Sequence, residues 1–303
     1  AELEDLVDLL INVIRQDYVN TSLTPTTTPC NIGDEGYMDW NLTTDVFTSD
    51  TCVVYNDTTL NPTINQNVLF LGDSIQFRLF TKFRTIVNSK KKIKKKRAGR
   101  CDRDVYLGMK NKPKLYPFEH SRVVGPEKYG KTHAGCTDCS GCNSMLIELD
   151  GGREIEYIAM EFAKDYELYD GNNNTSQDVI VNYLINKKEK PNIIVIGVGV
   201  HDADFKPSAF KRNVEQFLDL FIGVYGWKVV FVIAPLPLER ELRQSRVQTA
   251  AILSETLSKH KIPFIDGLKM SRSVLYHNGY NKAYSDNVHP TSAYYTAILG
   301  MLF

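Results

Sequence analysis

The sequence predicts an α/β protein, a parallel sheet with helices on both faces. Three observations carry this. Short apolar runs alternate with helical spacing from residue 67 to the end of the chain. The most apolar run, Asn192–Gly199, is bounded by turn residues, as a strand buried on both faces must be. The 303 residues, 43% apolar and 11% aromatic, suffice for a substantial core.

In chain order, residues 2–18 place Leu3, Leu6, Val7, Leu10, Ile11 and Ile14 on one face of an opening helix. Residues 19–63 are rich in Thr, Asn and Pro, hold Cys30 and Cys52, and read as an irregular, disulfide-stapled segment. Asn67–Leu71 is the first strand of the sheet, followed by a helix over 75–88. Residues 89–153, basic at first and then Gly-, Pro- and Cys-rich, read as an insertion. Glu154–Phe162 is the second strand, with a helix from about Ser176 to Lys187, and Asn192–Gly199 is the third. A helix at 207–224, a strand at 228–234, a helix at 239–260 and a strand at 262–266 follow. The closing helix starts near Thr291. Alternating units of this kind imply a parallel sheet. The division expected is 1–63 as an N-terminal segment and 64–303 as the α/β domain.

Composition excludes a disordered or collagen-like chain. Positive and negative residues balance at 36 each, which argues against a protein built around nucleic acid. The balance hides a run: residues 82–100 hold ten Lys or Arg and no acid, and Lys90–Arg97 is basic at seven of eight positions. It reads as a solvated loop, as a contact for an anionic partner such as a polysaccharide or lipid, or as a basic processing site. The best membrane-span candidate, 218–238, is broken by Asp219, Lys228 and two prolines, so no span is expected.

Six cysteines (Cys30, Cys52, Cys101, Cys136, Cys139 and Cys142) suit three disulfides, with 15 connectivities open. The Cys-x2-Cys spacing of the last three, beside His133, is also compatible with zinc. Five N-x-[ST] sites, at Asn20, Asn41, Asn56, Asn173 and Asn174, favour disulfides and a secreted or secretory-lumen location.

Three loops follow carboxyl ends of strands, where a doubly wound fold places ligands. Gly72-Asp73-Ser74 precedes a helix, whose N-terminus offers backbone N–H groups to a developing oxyanion. Asp286-Asn-Val-His289-Pro precedes the last helix, and an Asp three residues ahead of a His can fold back on the ring and orient it. Gly199-Val-His201-Asp202 follows the most apolar strand. The other histidines (His120, His133, His260 and His277) lie in loops or at a helix end. Tyr276, Tyr280 and Tyr284 could form a sugar-stacking platform or pack as core and rim.

Taken together, Phe70-Leu71-Gly72-Asp73-Ser74 and Asp286-Asn287-Val288-His289-Pro290, at the two ends of the domain, resemble the SGNH (GDSL) hydrolase superfamily over residues 64–303. The resemblance extends to divergent eukaryotic secretory-pathway members that move acetyl groups on glycans. It implies a three-layer α/β/α fold with a five-stranded, flavodoxin-like sheet in the order 2-1-3-4-5. It also implies a Ser74–His289–Asp286 triad, with an oxyanion hole from Ser74, Gly171 (or Gly135) and His201. His201 stands where the family usually has Asn, with Asp202 or a backbone carbonyl holding its other nitrogen. The function implied is a cofactor-independent and metal-independent serine esterase on O-acyl esters, with an acylated carbohydrate as substrate. An O-acyltransferase with the same triad, or a non-catalytic glycan-binding or structural module, are the alternatives.

Overall fold

The computed structural model describes residues 28–42, 44–56, 66–88, 145–148, 153–160, 180–181, 184–200, 206–272 and 280–303. Its sheet contains β3 (Val68–Gly72), β4 (Met145–Glu148), β5 (Glu154–Ala159), β6 (Ile193–Gly197), β7 (Val229–Ile233) and β8 (Phe264–Asp266). The spatial order is β4-β5-β3-β6-β7-β8. The five strands from β5 to β8 are parallel, with Gly72 opposite Ala159 on one side and Gly197 on the other. This is the expected 2-1-3-4-5 order. One strand was not foreseen. β4 lies inside the expected insertion and pairs antiparallel to β5, Met145 opposite Tyr157, as an added edge. A lone four-residue run, MLIE, has too few positions to show a period, so only its pairing identifies it.

Side-chain alternation divides the core between the two faces of the sheet. Val68 and Phe70 of β3 point to one face, with Ile155, Tyr157, Val195, Val232 and Ile265. Two helices, α1 (Ser74–Asn88) and, at the end of the chain, α5 (Ser292–Leu302), cover that face. Leu69 and Leu71 point to the other face, beside Ile158, Ile194, Ile196 and Phe231. There α2 (Pro207–Leu218) and α3 (Arg240–Lys259) form the cover. The helix expected over 207–224 changes geometry at Asp219, where six residues, Asp219–Val224, form a π-helix. A short α4 (Gly267–Arg272) follows β8 directly.

The N-terminal segment is less irregular than expected. After a 3-10 turn at Asp34–Tyr37, β1 (Met38–Asn41) and β2 (Val46–Ser49) form an antiparallel hairpin. Met38, Trp40 and Phe47 of this hairpin belong to the same apolar cluster as α1 and α5. Trp40, fully buried, stacks on Phe47 at 4.7 Å and faces Tyr294 of α5 at 6.1 Å between ring centroids. Cys30 and Cys52 are disulfide-bonded, closing the segment around the hairpin. Cys101, Cys136, Cys139, Cys142 and the basic run Lys90–Arg97 lie outside the described residues, as does the opening helix expected at 2–18. Among the described residues no helix is long and apolar enough to cross a membrane, and no group of His, Cys, Asp and Glu could hold a metal.

Candidate active site

The carboxyl end of β3 is built around close backbone contact. A Cβ on Gly72 would sit 2.2 Å from the Gly197 carbonyl oxygen and 2.5 Å from Cγ of Gln76, so only glycine fits between these strands. The Gly72 carbonyl accepts from Met160 N at 2.8 Å and from the Tyr157 hydroxyl at 3.0 Å. Asp73 then caps α1: its Oδ1 accepts from Ile75 N at 2.8 Å, and its carbonyl receives Phe77 N at 2.9 Å. Ser74 is thereby fixed in the first turn of the helix, and its hydroxyl faces the loop before α5.

That loop folds onto itself. Ser285 N donates to the His289 carbonyl at 2.9 Å. Asp286 Oδ1 accepts from Val288 N at 2.9 Å and from His289 N at 2.8 Å, turning the chain back over one carboxylate. His289 Nδ1 lies 2.8 Å from Asp286 Oδ2 and 2.9 Å from Oδ1, while Nε2 is 2.7 Å from Ser74 Oγ. An ionised carboxylate only accepts, so Nδ1 carries the ring proton and Nε2 is left to accept from Ser74. The three residues are thus joined in one hydrogen-bonded relay across a separation of 215 residues in sequence.

Charges around the relay favour that state. Partial burial pushes the Asp286 carboxyl up, but the Val288 and His289 N–H groups and the His289 ring outweigh it and hold it below the usual carboxylate range. Burial pushes His289 below the ordinary histidine value, and the Arg78 guanidinium adds to this against the pull of Asp286. Arg78 donates to Asp286 Oδ2 at 3.1 Å and to Ser285 Oγ at 2.6 Å. The sequence reading missed Arg78. Its signal was available: four residues after Ser74 on a helix puts it on the same face. Beneath the site Asp73 is 1% exposed, and burial pushes its carboxyl up to about 6 against the Ile75 N–H, Arg246 and His289. Arg246, also buried, is the countercharge. The influence of Arg246, in α3, on Asp73 acts through space, without a direct hydrogen bond, and has no local sequence signature.

Of the residues expected at the site, Ser74, Asp286 and His289 come together. Gly171, Gly135, His201 and Asp202 lie outside the described residues, so their expected roles stay part of the functional reading below. Of the other histidines, His260 is exposed at the end of α3, and His120, His133 and His277 lie outside the described residues. Tyr284 is 7% exposed and donates to the Leu236 carbonyl, which makes it a core residue rather than a stacking platform. Tyr276 and the side chain of Tyr280 lie outside the described residues. Asn41 is exposed on β1 and its side chain accepts from Thr44 N at 3.2 Å; Asn20, Asn173 and Asn174 lie outside the described residues.

No protein-family model and no curated protein matches the chain. Among solved structures it is similar to a GDSL-like lipase from Bacteroides thetaiotaomicron, with 12% identity, 81% of this chain and 91% of that one covered, and a TM-score of 0.41. It is also similar to a catalytic mutant of an acetylxylan esterase from Geobacillus stearothermophilus, with 12% identity, coverage of 80% and 94%, and a TM-score of 0.40. A lipase/acylhydrolase from Enterococcus faecalis shows 19% identity, coverage of 78% and 92%, and a TM-score of 0.36. The solved structures it is similar to thus include GDSL-type lipases, acylhydrolases and an acetylxylan esterase.

Proposed function

We propose that the chain is a serine ester hydrolase of the SGNH (GDSL) type. The observation that carries this is the relay Asp286–His289–Ser74, closed at 2.8 Å and 2.7 Å with the proton on the far nitrogen of the ring. In the reaction, Ser74 Oγ attacks the carbonyl carbon of an ester while His289 Nε2 takes the hydroxyl proton. Asp286 steadies the imidazolium that forms. The tetrahedral oxyanion is met by the N–H groups at the start of α1, together with Gly171 and His201 in the roles the resemblance assigns them. Collapse expels the alcohol, which leaves with the proton from His289. Water, activated by the same histidine, then attacks the acyl-serine and releases the acid. A sugar hydroxyl in place of water gives O-acyl transfer instead.

The substrate class proposed is the O-acetyl ester of a glycan. A secretory-pathway location is supported by the Cys30–Cys52 disulfide, since such bonds persist in oxidising compartments, and by the exposed Asn41 sequon. The Lys90–Arg97 run is proposed to meet an anionic partner. The test is labelling with a serine-reactive fluorophosphonate. The expected result is one modified peptide containing Ser74, lost in Ser74→Ala, together with loss of acetyl-ester hydrolysis in that variant. His289→Ala should lose nearly as much activity as Ser74→Ala, because members of such a unit are not additive. Ester turnover that survives Ser74→Ala unchanged would overturn the reading, and a wild type that neither labels nor turns over an acetyl ester would leave a non-catalytic module as the alternative.

A further inference from the structure

The β1–β2 hairpin reaches the loop that carries His289, and it does so through one exposed residue. Asp45 sits at the turn of the hairpin with φ of 50°, in the left-handed region that side chains other than Gly, Asn and Asp rarely adopt. From there its Oδ1 accepts two hydrogen bonds, from Trp40 Nε1 at 3.1 Å and from Thr291 Oγ1 at 2.8 Å. Thr291 is two residues after His289 and is the N-cap of α5. A threonine at that position ordinarily turns its hydroxyl onto the first N–H groups of its own helix. Here it makes no side-chain cap and is given to the hairpin instead. The backbone N–H of Thr291 donates to the Ala283 carbonyl at 2.8 Å, so both ends of the 284–290 loop are held together.

The other end of this connection is rigid. Trp40 is fully buried between Phe47, Tyr284 and Tyr294. The chain on either side of the hairpin is closed by Cys30–Cys52 and by backbone bonds between Cys30 N and the Val53 carbonyl at 3.0 Å and between Val53 N and the Thr28 carbonyl at 2.8 Å. A second tie, from Lys82 Nζ of α1 to Ser292 Oγ at 2.5 Å, joins the first turn of α5 to the helix that carries Ser74. The first turn of α5 is therefore strapped between the hairpin and the helix that carries Ser74.

We propose that Asp45, acting through Thr291, is a positioning residue for His289, and that the stapled hairpin is a strap that keeps the ring on Ser74. This rests on the reading of Ser74, His289 and Asp286 as the reacting unit. The strap explains why a polar turn residue holds strained backbone: a side chain at that φ can span from the indole to the base-bearing loop.

The experiment compares wild type with Asp45→Gly, Asp45→Asn and Thr291→Val. Glycine accepts the positive φ without strain but makes no bond, so it removes the strap and spares the turn. Asparagine tolerates the same backbone and keeps an acceptor oxygen. Valine keeps the shape of Thr291 and removes its donor. Two quantities are read on each preparation: the rate of fluorophosphonate labelling of Ser74 per folded molecule, and the downfield NMR signal of the His289 Nδ1–H shared with Asp286. Asp45→Gly and Thr291→Val should each slow labelling by about 10–100-fold, the order expected when a reacting group is misplaced by an ångström, and should lose the proton signal to exchange. Asp45→Asn should retain both near wild type. Labelling and signal unchanged in the glycine and valine variants, even with a lower melting temperature, would overturn the proposal. Absence of labelling in wild type would instead defeat the enzyme reading, and the His289 signal alone would then decide whether the strap holds the ring.

Discussion

His289, the base of the proposed reaction, is pulled in two directions. Burial and Arg78 of α1 disfavour the imidazolium, while Asp286 of its own loop and Asp73 of the β3–α1 turn favour it, and the net effect lies below the ordinary value. A base must be neutral to act, so a lowered value keeps the active form present at more acidic pH. The acidic limb of kcat/KM for acetyl-ester hydrolysis should therefore fall below the ordinary histidine value of about 6.5. Arg78→Ala removes a cation that disfavours protonation and also frees Asp286 to attract it. Both changes raise the histidine value, so the limb should move to higher pH, and a limb that stays put would show that Arg78 does not act on the ring. Gly197 offers a second residue-scale test. A Cβ there would lie 2.3 Å from Nε2 of Gln76, a side chain that is fully buried in the first turns of α1. Gly197→Ala should cost about 1–3 kcal/mol in urea unfolding and slow Ser74 labelling, because the helix carrying Ser74 must shift. These residues were unequally legible. Ser74, Asp286 and His289 stand in motifs of nearby residues, whereas the electrostatic influence of Arg246 on Asp73 links separate elements and leaves no local pattern.

At the scale of elements, the strands were readable because their burial on both faces removes polar residues altogether, as in VLFLG and VVFVI. The hairpin and β4 were not. Their strands are four residues each, and MDWN with VFTS lie within a Thr- and Asn-rich stretch where turn chemistry dominates the signal. What makes β1 and β2 an element is Trp40 and Phe47 reaching a cluster that includes Tyr284 and Tyr294, more than two hundred positions away. The staple should matter in proportion to the loop that it closes. With Cys30 and Cys52 separated by 22 positions in sequence, the chain-entropy estimate is about 3 kcal/mol, so Cys30→Ser with Cys52→Ser should lower stability by that order in equilibrium denaturation. A variant as stable as wild type would mean that the unfolded segment is already compact. The π-helix after α2 was invisible for a different reason. Its residues continue the helical apolar spacing, and only the backbone bonds from Asp219 onward, which end with Tyr225 N donating to Leu220 O at 3.3 Å, reveal the wider turn.

Across the whole molecule, the two faces of the sheet hold separate apolar clusters, and the hairpin joins only one of them. Trp40 belongs to the cluster with α1 and α5, and Trp227 packs against the other, edge-on to Phe221 at 4.9 Å. In a Trp227→Phe variant, Trp40 becomes the sole indole reporter. Its fluorescence transition in urea should coincide with loss of far-UV circular dichroism, because the hairpin shares its core with the sheet. An earlier fluorescence transition would show that the hairpin detaches first. Trp40→Ala should cost about 3–5 kcal/mol, the range for deleting a large buried aromatic, and should take the Asp45 contact with it. The sequence by itself determined the alternation of strands and helices, and with it the parallel sheet, because burial on both faces makes the strands short unbroken apolar runs and one-sided burial gives the helices a 3.6-residue period. It also determined which side chains could serve as nucleophile, base and orienting acid. Tertiary structure decided the rest: which ring nitrogen holds the proton, which way His289 titrates, that Arg78 grips Asp286, and that a turn of the N-terminal hairpin holds Thr291. Those depend on burial and on distances between groups far apart in the chain, and neither quantity is written in any local stretch of sequence.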